Sequence, residues 1–160
     1  MSVNMKRYII FAVSIMIAIL MMALMFWPEV SGQNKNAGND AGQKVCVRSK
    51  CYNVEVARTI AEWEKGLMFR QSLDKDAGMF FVYPADGFYP FWMKNTLIPL
   101  DMIWLDSNYK IVFVASDAQP CEKDPCPLVY PNQRARYVLE VNAGEMKNLG
   151  VRTGDTVTIK

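Results

Sequence analysis

The sequence predicts a mainly β domain, a compact antiparallel sandwich or small barrel with one or two short helices, preceded by a single transmembrane helix. Three observations support this fold class: short segments rich in β-branched and aromatic residues, a well-marked short helix, and a long uncharged apolar segment near the N-terminus. The 160 residues, of which 51% are hydrophobic, suffice for one domain with a core but not comfortably for two.

Seven segments have the composition of β-strands, being rich in Val, Ile, Phe, Trp or Tyr. They are residues 45–48, 52–57, 79–83, 100–105, 110–115, 136–141 and 156–159. Asp106, Ser107 and Asn108 favour a turn, so we expect the strands on either side of them to form a hairpin. This arrangement indicates a sandwich or small barrel and not a parallel sheet with crossover helices.

Two short helical segments are expected. Thr59 and Glu62 have the spacing of a capping box, and Gly66 can end that helix in a left-handed conformation. A second helix or turn is expected over residues 143–149, ahead of Gly150. Neither is long, so strands dominate the domain.

The N-terminal region predicts a membrane anchor. Residues 8–27 carry no charge, and as a helix of about 30 Å they would match the hydrocarbon core of a bilayer. Lys6 and Arg7 precede this segment and Glu29 follows it, so the positive-inside rule places residues 1–7 in the cytoplasm and the rest of the chain outside. We therefore expect a single-pass protein of the cell membrane.

The main alternative to the anchor is a signal peptide. Val30 and Gly32 are small residues at a spacing that signal peptidase accepts, with cleavage before Gln33. A buried helix of a soluble protein is a further alternative, although twenty apolar residues would leave it no polar face. Residues 28–44 have the composition of a flexible linker, and residues 45–160 form the single extracytoplasmic β domain.

Composition excludes several functions. The formal net charge is +2 and the basic residues are dispersed among acidic ones, so nucleic acid is not an expected partner. The chain has no histidine, which excludes a Ser-His-Asp site and a histidine-based zinc site. No pattern predicts a cofactor, and we expect the domain to be monomeric.

Several short motifs resemble a known family. They are Gly-Leu-Met-Phe-Arg at 66–70, Gly-Met-Phe-Phe at 78–81, Phe-Trp-Met-Lys-Asn-Thr at 91–96, Ile-Pro-Leu-Asp-Met at 98–102, Tyr-Val-Leu-Glu-Val at 137–141, Ala-Gly at 143–144 and Gly-Asp at 154–155. From about residue 54 to the C-terminus, the chain resembles the bacterial and archaeal family catalogued as domain of unknown function 192. This resemblance implies a compact, mainly β domain, often exported or membrane-anchored, and implies no established reaction.

The four cysteines form two local units, Cys46 with Cys51 and Cys121 with Cys126. Outside the cytoplasm such thiols are expected to be oxidised, so we predict two disulfides and favour the local pairing, although four cysteines allow three connectivities. A four-thiolate zinc site is the alternative. A redox-active pair is less favoured, because neither unit has the Cys-x-x-Cys spacing.

The best candidate binding site is the segment 92–101, which follows an aromatic-rich stretch that could wall a pocket. Arg70 and Glu140, each within one of the family motifs, could complete it. The predicted binding residues are Arg70, Trp92, Lys94, Asn95, Thr96, Asp101 and Glu140. The opposing interpretation is that the polar residues stabilise turns or neutralise each other's charge, and that the aromatic residues pack in the hydrophobic core.

The expected function is a membrane-tethered binding or structural module of the cell envelope, whose ligand is an unknown small molecule or envelope component. An envelope enzyme of hydrolase type is the alternative, with Asp101 and Glu140 as acid or base candidates and Lys94 nearby. A copper site is a weaker alternative, since thioethers suit Cu(I). It would use Met68, Met79, Met93 and Met102, which also fit as core residues.

Overall fold

The computed structural model describes residues 42–160, and this part of the chain is mainly β, as predicted. Its elements in chain order are β1 (Lys44–Val47), β2 (Lys50–Ala57), α1 (Ile60–Lys65), β3 (Ala77–Gly87), β4 (Phe91–Trp92), β5 (Leu100–Leu105), β6 (Ile111–Ala118), β7 (Leu128–Val129), β8 (Ala135–Asn142), α2 (Glu145–Asn148) and β9 (Val157–Ile159). Neither α1 nor α2 has the length and apolar character needed to cross a membrane. The predicted anchor at 8–27 and most of the predicted linker lie outside the described residues.

Seven strands form one sheet in the order β6-β5-β8-β3-β2-β1-β9, and β4 pairs with β7 in a separate two-stranded ribbon. The large sheet curls into a half-barrel. Its two edge strands approach each other through a bridge between Lys110 and Thr156, and the Ile111 amide donates to the Asp155 carbonyl at 2.8 Å. The curl brings residues of both edge strands into one core.

One strand pair departs from the expected antiparallel arrangement. Strands β2 and β3 are parallel, and the connection between them contains α1. Parallel neighbours require a crossover connection, which α1 and the loop after it supply here. The other pairs are antiparallel, including the β5–β6 hairpin predicted around Asp106.

Within residues 42–160 the predicted strands and the two predicted helices are present, with ends shifted by a few residues. The capping box is confirmed, because the Glu62 amide donates to Thr59 Oγ1 at 3.3 Å and the Thr59 amide donates to Glu62 Oε2 at 2.8 Å. Gly66 ends the helix with a φ of +46°. The sequence patterns missed β4 and β7, each of two residues, which are too short to show any alternation.

Apolar side chains cover both faces of the large sheet. Because successive strand residues point to opposite faces, each strand contributes to two cores. The inner core lies on the concave face and includes Tyr52, Val54, Phe80, Ile103, Leu105, Ile111, Leu139, Val141 and Val157. The outer core includes Met79, Phe81, Met102, Trp104 and Val138, with Leu67, Phe91 and Met93 packed onto them. Met79, Met93 and Met102 are thus buried in the outer core, as expected of core residues.

Both disulfides have the local connectivity. Cys46 and Cys51 face each other across the β1–β2 pair, and Cys121 is bonded to Cys126 in the loop between β6 and β7. Strand β1 is thus held by β2 on one side and by β9 on the other, with a covalent link to β2. Because all four sulfur atoms are bonded in pairs, the four-thiolate zinc alternative is wrong.

Candidate functional site

A buried carboxyl group on the outer face of the sheet is the centre of the candidate site. Glu140 lies on β8, directly opposite Met79 of β3 and Met102 of β5, and is 5% exposed. Within residues 42–160, Glu140 Oε2 is the one buried side-chain nitrogen or oxygen atom that lacks a hydrogen-bond partner. Such atoms are uncommon in folded proteins, so this one calls for an explanation.

A small cleft of about 30 Å³ opens beside Glu140. It has room for about two groups of the size of a water molecule. Four aromatic residues line it: Trp63, Phe81, Phe91 and Trp92. The remaining wall residues are Glu64, Lys65, Gly66, Leu67, Met68 and Thr96. The cleft therefore combines aromatic rings with several polar groups, among them the buried carboxyl group of Glu140.

Gly66 allows the chain to pass close over Glu140. A Cβ atom at this position would lie 3.4 Å from Phe81 Cζ and 3.8 Å from Glu140 Oε2. These are ordinary van der Waals distances, so it is the positive φ at the end of α1 that favours glycine here. The loop that follows is tied to the other wall, because the Phe69 amide donates to the Asn95 carbonyl at 2.8 Å.

The environment of Glu140 favours its neutral form. Burial raises the pKa of this carboxyl group, the charge of Arg70 lowers it in part, and the net result is a pKa of about 8. The Arg70 guanidinium is engaged elsewhere, in a two-point pair with Glu55 whose N–O distances are both 2.6 Å. Glu140 is thus mostly protonated at neutral pH and can donate or accept a hydrogen bond in the cleft.

A second, larger cavity adjoins the cleft. Its volume is about 160 Å³, and it shares Lys65 and Gly66 with the cleft. The rest of its lining is Glu55, Val56, Ala57, Glu62, Arg70 and Met79. The two cavities are neighbours at the C-terminal end of α1, where Lys65 and Gly66 line both.

Asp101 does not belong to this site. It pairs with Val141 on the adjacent strand, while Glu140 pairs with Met102, so the two carboxyl groups point to opposite faces of the sheet. Asp101 is fully buried and accepts three backbone hydrogen bonds: from Asp117 at 2.8 Å, Gly144 at 3.1 Å and Met146 at 2.8 Å. The predicted acid and base pair of Asp101 and Glu140 is not formed, and Asp101 instead holds α2 and the end of β6 in place.

The remaining predicted residues fall into two groups. Trp92 and Thr96 line the cleft, and Arg70 lines the adjoining cavity. Lys94 is paired with Asp124 at 2.9 Å and its Nζ lies 5.6 Å from the centre of the Trp92 ring, so it reaches the outer side of the site and not the carboxyl group. The side chain of Asn95 is exposed, and its backbone carbonyl is the part that shapes the site.

The sequence prediction missed several wall residues. Trp63 was within the predicted helix, where an aromatic residue signals core packing and nothing more. Gly66 and Phe81 did carry a signal, since both are in motifs shared with the family. Phe91 belongs to the aromatic stretch that was expected to wall a pocket. Glu55 gave none, because a lone acidic residue in a strand is expected to face solvent.

Comparison with known proteins identifies relatives of this chain. The profile of the DUF192 family (domain of unknown function 192), described as "Uncharacterized ACR", matches residues 43–159. A crystal structure of a protein of unknown function from Novosphingobium aromaticivorans is 35% identical, with a TM-score of 0.66, and the match covers 72% of this chain and 82% of that one. No curated protein matches significantly.

A second crystal structure is similar to the same extent. It is that of a proposed transcription regulator from Sinorhizobium meliloti, 33% identical with a TM-score of 0.65, and the match covers 72% of this chain and 90% of that one. The family profile spans most of the chain, and both solved structures share about a third of their residues with it. The chain therefore belongs to the DUF192 family.

Proposed function

We propose that this protein is a ligand-binding module of the cell envelope, tethered by residues 8–27 and binding its ligand in the cleft beside Glu140. The observation that carries the proposal is the buried Glu140 Oε2, which has no hydrogen-bond partner among residues 42–160. Leaving such an atom unpaired costs about 1–3 kcal/mol, a cost that a bound ligand would offset. Perturbed, unpaired groups of this kind are typical of functional sites.

The shape of the site supports binding. Aromatic walls with a few polar groups are typical of small-molecule sites, and Trp92, at 44% exposure, is placed to cover a bound molecule. Nucleic acid is not part of the proposal, although one relative is described as a proposed transcription regulator. The dispersed charge of the chain and the carboxyl group in the cleft both disfavour a phosphate backbone.

The binding proposal is tested by screening small polar molecules against the full chain in detergent micelles, with glutamate side-chain carboxyl carbons labelled with ¹³C. A ligand at this site will move the Glu140 resonance, which the loss of signal in Glu140→Gln identifies. Glu64→Gln is the matched control, because Glu64 lies at the rim of the same cleft but is exposed. A screen in which bound molecules move other resonances and never Glu140 would refute the proposed site.

The envelope location is tested separately. Cells whose outer layer has been permeabilised, but whose cell membrane is intact, are treated with protease. The chain is then detected with an antibody against its C-terminal part. We expect residues 45–160 to be digested while a cytoplasmic marker protein survives. Survival of the domain together with the marker would place it on the cytoplasmic side and refute the tethering proposal.

An enzyme is the second candidate function, and the environment of Glu140 is the observation that favours it. A carboxyl group with a pKa of about 8 can act as a general acid near neutral pH. Such an enzyme would rely on Glu140 alone among the predicted acid and base candidates, because Asp101 lies on the other face of the sheet. If a ligand found in the screen is converted to product, and Glu140→Gln still binds it without turnover, the enzyme interpretation replaces the binding module.

A further inference from the structure

We infer that the molecule bound beside Glu140 is a small primary amine in its ammonium form. This inference rests on the proposed binding function and adds the chemical class of the ligand. It combines four observations: the unpaired carboxyl group, the balance of charge around the two cavities, the aromatic walls and the dimensions of the space.

The unpaired carboxyl group determines what the ligand must supply. Arg70 is the cation whose charge acts on Glu140, and both arms of its guanidinium group are bound to Glu55. Glu140 therefore receives attraction from a positive charge but no hydrogen bond from it. An ammonium group supplies both, because it has three N–H donors and a full charge.

The balance of charge around the site allows a cation. Among the charged residues that line the two cavities, Glu55 is paired with Arg70, and Glu62 and Glu64 lie beside Lys65. Ionisation of Glu140 adds one buried negative charge, which a bound cation neutralises. An anionic ligand would find only one hydrogen-bond donor on the buried Glu140 carboxyl group, namely the O–H proton of its neutral form.

The aromatic walls suit the same ligand. A cation within about 6 Å of a ring centre is attracted by the negative face of the ring, most strongly by tryptophan. Trp63 and Trp92 both line the cleft, together with Phe81 and Phe91. The site already uses this interaction on its outer side, where Lys94 Nζ lies 5.6 Å from the Trp92 ring centre.

The dimensions suit a small cationic head. An ammonium group is about the size of a water molecule, and the cleft of about 30 Å³ has room for about two groups of that size. The cavity of about 160 Å³ beyond Lys65 and Gly66 offers further space for a short carbon chain.

Binding of an ammonium group displaces the proton of Glu140. The neutral carboxyl group loses its O–H proton to solvent, and the carboxylate then pairs with the ammonium ion, so one proton is released for each ligand bound. The titratable and charged groups around Glu140 are Glu64, Lys65, Arg70 and Tyr83. Tyr83 stays un-ionised in the neutral range, because burial raises its pKa.

The experiment compares two probes of equal shape, n-butylamine and n-butanol, on the full chain in detergent micelles at pH 6.5. Calorimetry in two buffers of different ionisation heat gives the affinity and the protons released, and the ¹³C resonance of Glu140 reports its ionisation. We expect butylamine to bind at least about tenfold more tightly than butanol, to release close to one proton and to convert Glu140 to carboxylate. Glu140→Gln will weaken butylamine by at least about tenfold, and Glu122→Gln, an exposed position that lines neither cavity, by less than about threefold.

Three contrary outcomes overturn the inference in distinguishable ways. If butanol binds at Glu140 and butylamine does not, the ligand class is wrong and the binding site stands. If butylamine binds without proton release, it is not paired with a Glu140 carboxylate and the inference fails. If neither probe moves the Glu140 resonance at millimolar concentration, both the ligand class and the proposed binding function fail.

Discussion

Asp101 and Glu140 lie on adjacent strands of the same sheet, and both are buried, yet the structure treats them in opposite ways. Asp101 faces the concave side and accepts three backbone hydrogen bonds. Glu140 faces the convex side and has an oxygen without any partner among residues 42–160. The difference teaches that burial alone does not identify a functional acid; the number of bonds that the group already makes separates a structural carboxylate from one available to a ligand.

The largest expected effect is in the pH dependence of stability. Glu140 has a folded-state pKa of about 8 and an ordinary value of 4.5, so between these pH values the unfolded chain loses a proton that the folded chain keeps. Stability therefore falls as pH rises through this window, by up to about 5 kcal/mol relative to Glu140→Gln. Urea unfolding of both proteins at pH 4.5, 6 and 8 measures this difference. Parallel curves would show that Glu140 is not a buried, unpaired acid.

The next effect concerns Asp101. In Asp101→Asn, at least one of the three backbone amides loses its charged acceptor, so we expect a loss of about 3 kcal/mol in the free energy of unfolding. Glu140→Gln is the matched control, with both variants compared at pH 4.5, and it should change stability there by less than about 1 kcal/mol because a neutral acid is replaced by a neutral amide of similar shape. Equal losses in the two variants would break the contrast between the two carboxyl groups.

A pair of glycine variants sharpens the comparison at the level of the backbone. Gly66 lies beside Glu140 with a φ of +46°, and Gly144 donates its amide to Asp101 with a φ of +86°. Gly66→Ala should cost about 2–3 kcal/mol and Gly144→Ala about 1 kcal/mol, because Gly66 has a ψ of −136° and lies outside the left-handed helical region that Gly144 occupies with a ψ of −12°. Thermal unfolding checks the order. Greater loss in Gly144→Ala would mean that the backbone over Glu140 can relax to a conformation open to alanine.

The smallest effect tests the influence of Arg70 on the site. Arg70→Gln removes the charge that lowers the pKa of Glu140, so that pKa should rise further above 8 in a ¹³C NMR titration. Stability should change by less than about 1 kcal/mol, since the Arg70–Glu55 pair is partly exposed. Arg136→Gln is the control, because Arg136 pairs with Asp86 and should leave the Glu140 titration unchanged. A pKa that does not move in Arg70→Gln would exclude any electrostatic contact between the two groups.

Much of the fold could be predicted because it is encoded in short-range patterns. The capping box of Thr59 and Glu62 and the turn at Asp106 depend on residues close together in sequence, and both are confirmed. The parallel pairing of β2 with β3 was not predictable in the same way. Local composition identifies a strand but does not specify its neighbour, and the β2–β3 pair is separated by α1 and a loop.

The candidate site was predicted in part for the same reason. Trp92, Thr96 and Glu140 were chosen from motifs, and the structure brings them to one cleft. Asp101 was grouped with them because it is near Thr96 in sequence. Its side chain faces away because register pairs it with Val141 and not with Glu140, and a shift of one residue reverses the face. Register is set by contacts across the whole sheet, which a single segment does not contain.

Strand β1 has a mechanical consequence. It is the first element of the described residues, and it is hydrogen-bonded along both edges, to β2 on one side and to β9 on the other. Tension arriving from the preceding chain would have to shear both ladders together, and not peel a single edge strand away one hydrogen bond at a time. The Cys46–Cys51 disulfide would then transmit the force from β1 to β2, and β2 would transmit it to its neighbour β3. The domain is reinforced at the end where a pull on its N-terminal side would enter.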